Sequence, residues 1–68
     1  MTSHKITMEI IQLLNIPDKK TAELIGKSSD TVARKKSEKY PAYKFNDQDM
    51  QSVKSYAHGV INRLNLVL

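Results

Sequence analysis

Sixty-eight residues allow one domain, 1–68, and a chain this short buries only about 60% of the surface that it exposes when unfolded. It contains no cysteine, and His4 and His58 lie at opposite ends of the sequence, which excludes disulfides, thiolate zinc sites and a helical histidine pair. Association with a partner is the supplement left to a protein of this size. Eleven basic residues oppose seven acidic ones, for a net charge of +4. The stretch Lys19–Lys44 holds eight of the basic residues (Lys19, Lys20, Lys27, Arg34, Lys35, Lys36, Lys39, Lys44) against Glu23, Asp30 and Glu38. A basic middle between near-neutral flanks is the electrostatic footprint of a polyanion-binding surface, or else a solvated lysine-rich face.

The first predicted element is a helix over Ser3–Leu14. Ile6, Ile10, Leu13 and Leu14 fall on one helical face, widened by Met8 and Ile11. Ser3 is the candidate N-cap and Pro17 stops the pattern. A short helix follows from about Lys19 to Ile25, with Asp18 as candidate cap and Ala22 and Ile25 facing inward. Gly26 ends it, because glycine takes the left-handed conformation at a helix C-terminus without penalty. Ser28 is a good N-cap for a third helix, Ser29 to Lys39, with Asp30 complementing its dipole. Val32 is its clear inward position, bordered by Ala33, and the rest is polar. The aromatic residues Tyr40, Tyr43, Phe45 and Tyr56 either complete the core or stack on unpaired bases.

The last element starts after Asn46, a capping residue followed by Asp47 and Asp49. Met50, Val53, Ala57, Val60, Ile61 and Leu64 recur in steps of three and four. The segment is either one helix from Asp47 to about Asn65 or two helices joined near His58-Gly59. Val60, Ile61, Leu64, Leu66, Val67 and Leu68 exceed what three short helices can cover. They form a homodimer segment over 60–68 or fold back on the first helix. No stretch reaches the roughly 20 apolar residues of a membrane helix, and Glu9 and Gln12 interrupt the N-terminal apolar run, so neither a membrane nor a secretory signal is expected. The fold class expected is all-α: a compact domain of four to five helices.

The run Thr21-Ala22-Glu23-Leu24-Ile25-Gly26-Lys27-Ser28-Ser29-Asp30-Thr31-Val32-Ala33-Arg34-Lys35 carries the functional signal. Ala22 permits a close helix crossing, Gly26 supplies the turn, and Ile25 and Val32 bury the joint. The short polar residues left on the second helix suit a major groove, which admits an α-helix. This pattern is a helix-turn-helix.

Over Asp18–Ser37 the chain resembles the Cro and lambda-repressor-like regulators of temperate phages, and Lys20-Thr21-Ala22-Glu23 with Gly26 is also similar to the lambda CII activator. Two positions depart from that pattern. Lys27 stands where the family has an apolar residue after the turn glycine. Lys35 and Lys36 stand where it buries one a turn beyond the valine, which leaves Val32 and Tyr40, Tyr43 or Phe45 to anchor the helix. The resemblance implies that Ser29, Asp30, Ala33 and Arg34 face base edges, with Arg34 on guanine. Asp30 accepts from a cytosine amine or merely complements the helix dipole. Lys20, Thr21, Lys27, Ser28, Thr31, Lys35 and Lys36 would hold phosphates.

The function expected is a sequence-specific double-stranded DNA-binding regulator in the cytoplasm of a bacterial host, a Cro-like repressor in the first instance. A CII-like activator, a packaging or recombination accessory protein, and a protein-binding antirepressor or antitoxin module are the alternatives. No enzyme, metal or cofactor is expected, since neither a phosphate-cradling glycine loop nor a nucleophile–base arrangement is present.

Overall fold

Each helix of this chain starts and stops where a specific side chain or backbone conformation closes its hydrogen-bond ladder. The computed structural model describes residues 2–68. They form α1 (Ser3–Leu14), α2 (Asp18–Ile25), α3 (Ser29–Lys36) and α4 (Asp47–Val67), with no strand among the described residues. The domain is all-α with four helices, as its periodicity implies.

Thr2, not Ser3, caps α1: its hydroxyl accepts from the Lys5 amide at 3.3 Å. Ser3 is the first helical residue, and its hydroxyl donates to the Asp47 carboxylate, joining the starts of α1 and α4. At the other end Asn15 adopts a left-handed φ of 50°. The Ile16 amide then reaches the Ile11 carbonyl at 3.0 Å and the Asn15 amide reaches Gln12 at 3.3 Å. This Schellman arrangement satisfies the last carbonyls and brings Ile11 and Ile16 into the same core.

Pro17 occupies the cap position of α2 and makes no side-chain cap bond, while Asp18 is already helical. Gly26, at φ 70°, ends α2, and the Lys27 amide bonds the Ala22 carbonyl at 3.0 Å. Ser28 caps α3 by accepting from the Thr31 amide at 3.2 Å. That helix ends at Lys36, short of Lys39. The chain then makes two consecutive turns, closed by Tyr40 N–H to Ser37 at 3.5 Å and Tyr43 N–H to Tyr40 at 2.9 Å. Pro41 takes the second position of the latter, where its fixed φ is pre-set. Asn46 and Asp49 form a reciprocal capping box at the start of α4, at 2.8 and 3.2 Å. α4 runs unbroken through Gly59 to Val67, so the C-terminal segment is one helix.

α1 lies along α4, and α2 packs on both α3 and α4. The buried apolar residues are Ile11, Ile16, Ala22, Val32, Phe45, Val53 and Ala57. Met8, Ile10, Leu14, Leu24, Ile25 and Tyr56 lean against them. Tyr40 and Tyr43 do not join the core: they are about half exposed and meet edge to face at 5.9 Å. Thr7 and Thr21 are fully buried, each donating its hydroxyl to the carbonyl one turn back, Ser3 at 2.7 Å and Pro17 at 3.1 Å.

A charged residue completes this small interior. Lys35 is buried, and its ammonium donates to the Asp49 carboxylate at 2.9 Å and to the Lys44 carbonyl at 3.1 Å. It also lies 5.6 Å from the Phe45 ring centre, within cation–π range. Asp49, itself buried, accepts from both Lys35 and the Asn46 amide. Removing one member of such a pair leaves an uncompensated buried charge and costs about 3–5 kcal/mol. Chemical denaturation of Lys35→Met, Asp49→Ala and the double variant should therefore give a double-mutant cycle in which the double variant loses much less than the sum of the singles. Strict additivity would show that the two side chains act independently.

Candidate nucleic-acid interface

Burying Val32 and Lys35 on one side of α3 fixes what lies on the other. Helical residues three and four apart share a face, so Asp30, Ala33, Arg34 and Ser37 form a continuous outward strip. Ser29, Asp30, Ala33 and Arg34 are all exposed. The strip forms one wall of an open depression of about 420 Å³ bounded by Asp30, Ala33, Arg34, Ser37, Lys39 and Tyr40. The early end of α3 allows this. Had the helix continued to Lys39, the two turns that bring Lys39 and Tyr40 beside Arg34 would not exist.

The residues expected to hold phosphates do not act as one set. Lys27 and Ser28 are exposed in the turn ahead of α3. The Ser28 and Thr31 hydroxyls bond one another at 3.0 Å, with Thr31 half-buried. Thr21 is not a phosphate contact, because its side chain is wholly buried and bonded to Pro17. Lys35 is not one either, because its ammonium points inward to Asp49. Lys36 is half-exposed and already pairs with Asp18 at 2.7 Å, clamping α3 to the start of α2. Lys20 is turned toward α4, 5.3 Å from the Tyr56 ring centre, and lies 3.9 Å from Glu23. Against these losses stand Lys39 and Tyr40, both exposed and next to Arg34, the first expected inside the helix and the second in the core or on unpaired bases. The signal that could have placed them is Pro41, whose ring disfavours helix at Tyr40.

The loop that carries Lys39 and Tyr40 is held at its far end by α1. The Phe45 amide donates to Nδ1 of His4 at 3.2 Å, and the two rings stack at 5.5 Å between centres. Burial, and then the charges of Lys44 and Lys35, lower the His4 pKa below its ordinary 6.5. All three favour the neutral ring, the only form in which Nδ1 can accept this bond.

Among the described residues, no group of histidine, aspartate and glutamate side chains is placed to hold a metal ion, and no helix is long and apolar enough to cross a membrane. No family model, curated protein or solved structure matches the chain. The assignment of this face therefore rests on its own geometry.

Because the folded form disfavours His4 protonation, the stabilisation is complete above pH 6.5 and is lost as the pH falls below that value through the lowered folded pKa. Thermal melts between pH 7.5 and 5 should show a decline that His4→Asn, which keeps an acceptor near the same place, removes in part. Identical pH profiles for the two proteins would disprove the linkage.

Proposed function

We propose that this chain is a sequence-specific double-stranded DNA-binding regulator that reads the major groove with α3, in the manner of the Cro-like regulators that Asp18–Ser37 resembles. One observation carries the reading. The helix after the Gly26 bend buries Val32 completely while leaving Ser29, Asp30, Ala33 and Arg34 free in solvent. A short helix that turns small and polar side chains outward is the shape that a major groove accepts.

Within this reading Arg34 makes the principal base contact, since its planar guanidinium bonds guanine at two points. Ala33 permits close approach and Ser29 bonds a base edge. Asp30, one turn before Arg34 in the same strip, is suited to a cytosine amine. Lys27, Ser28 and Lys39 fix the position of the helix by holding phosphates. Lys36 contributes only by giving up part of its pairing with Asp18. Tyr40 lies at the edge of the strip, where its hydroxyl can reach a phosphate or sugar. For so small a protein, occlusion of RNA polymerase from an occupied operator is the simplest regulatory outcome.

Selection of bound fragments from a randomised duplex pool, followed by anisotropy titrations, tests the proposal. Affinity should fall with salt by about 0.9 log units per log unit for each phosphate neutralised. Arg34→Ala should weaken binding by about 1–3 kcal/mol and relax the preference at one base pair, with the helical spectrum unchanged because the side chain is exposed. Lys39→Ala should weaken all duplexes alike and reduce the salt slope by about 1. Equal affinity for every duplex, indifferent to Arg34→Ala, would reject readout by α3.

A further inference from the structure

The exposed large hydrophobic residues among those described lie on α1 and α4, with two exceptions. Tyr40 and Tyr43 stand on the turns after α3, 44% and 42% exposed, and take no part in the core. Their position is nonetheless fixed. The Tyr40 amide bonds the Ser37 carbonyl, the Tyr43 amide bonds the Tyr40 carbonyl, and the two rings meet edge to face at 5.9 Å, a geometry that aromatic pairs favour. At the far end of the loop the Lys44 carbonyl accepts from Lys35 and the Phe45 amide donates to His4. The fold therefore holds an aromatic ring in solvent at the edge of the α3 strip.

Tyr40 and Ala33 bound the same open depression, together with Asp30, Arg34, Ser37 and Lys39. The other four are polar or charged, so the Ala33 methyl and the Tyr40 ring are the apolar part of its lining. The major groove of duplex DNA offers one apolar group among its donors and acceptors, the 5-methyl of thymine.

We propose that Ala33 and Tyr40 enclose the 5-methyl group of a thymine adjoining the base that Arg34 contacts. The inference rests on the reading of α3 as the groove-entering helix and names a base that this face selects. Three features support it. Arg34 and Lys39 at the rim give the hollow the positive charge that draws it to a polyanion. Tyr40 belongs to a turn outside α3, so it supplies a second wall that the helix alone lacks. The hollow, about 420 Å³ and open to solvent, admits the edge of a base pair. Taking one methyl-sized group out of water between apolar walls strengthens binding about three- to fivefold. The Tyr40 hydroxyl stays free for a phosphate or sugar.

Uracil differs from thymine only in lacking that methyl, so the test replaces each thymine of the preferred duplex in turn by deoxyuridine, with the full chain as the binding protein. Anisotropy titrations should find one thymine, next to the base pair at which Arg34→Ala relaxes the preference, where uracil weakens binding about three- to fivefold. In Tyr40→Ala, thymine and uracil should bind equally there, with the helical spectrum unchanged. Tyr40→Phe, which keeps the ring, should retain the discrimination. Lys39→Ala should weaken both duplexes and leave their ratio as it was. A preferred duplex in which every thymine is replaceable without loss overturns the proposal and leaves the reading of α3 standing. So does a preference for thymine that Tyr40→Ala leaves undiminished. Failure to select any duplex rejects the reading of α3, and this inference with it.

Discussion

The ammonium of Lys35 and the carboxylate of Asp49 meet inside a protein with almost no interior to hide them. Taking two charges from water costs several kcal/mol per ion, which their attraction offsets only when the remaining hydrogen-bonding capacity is met. Here it is largely met: Lys35 also donates to Lys44 and faces Phe45, and Asp49 also accepts from Asn46. No buried side-chain nitrogen or oxygen among the described residues lacks a partner. The carboxylate thus does two things at once. It closes the capping box that starts α4 and fixes the inner edge of α3. These helices are joined by a loop rather than packed broadly on one another, so the pair is their principal tie.

That tie decides what α3 can present. A helix of eight residues is too short to be stable alone, and Val32 is its only deeply buried apolar side chain. With Val32 buried, Lys35 held by Asp49 and Lys36 by Asp18, three contacts within little more than one turn grip its inner side, and Ser29, Asp30, Ala33 and Arg34 need make no contribution to the core. Anchoring α3 through an ion pair gains directionality, since a hydrogen-bonded pair sets orientation where an apolar contact tolerates rotation. It also makes the outward face depend on the ionisation of its neighbours, His4 among them.

How far the sequence anticipates this structure follows from the range of each interaction. Signals confined to one turn were readable: the extent of α1, the left-handed stop at Gly26, the Ser28 cap and the Asn46 cap all follow from residues adjacent in sequence. Shifts of one residue, such as Thr2 for Ser3 as the cap of α1, reflect two hydroxyls of equal local merit, and Asp47 decides between them from across the fold. The burial of Lys35 was not readable, because its partner lies fourteen residues away on another helix and a lysine beside a lysine reads as solvent-facing. Thr21 misleads for the opposite reason. It looks like a polar surface residue until its hydroxyl returns to the Pro17 carbonyl, after which its methyl packs like that of a valine. The end of α3 was obscured because Glu38 and Lys39 suit a helix well, and only the paired turns around Pro41 override them.

The two ends of α4 differ in what they pack against. The N-terminal end, through Asp49 and Asn46, orients α3; the distal end leaves an apolar stripe outside the fold. Gly59 weakens the helix by about 1 kcal/mol relative to alanine, yet α4 runs through it unbroken, and with Tyr56, Val60 and Arg63 it surrounds a hollow on the outer face.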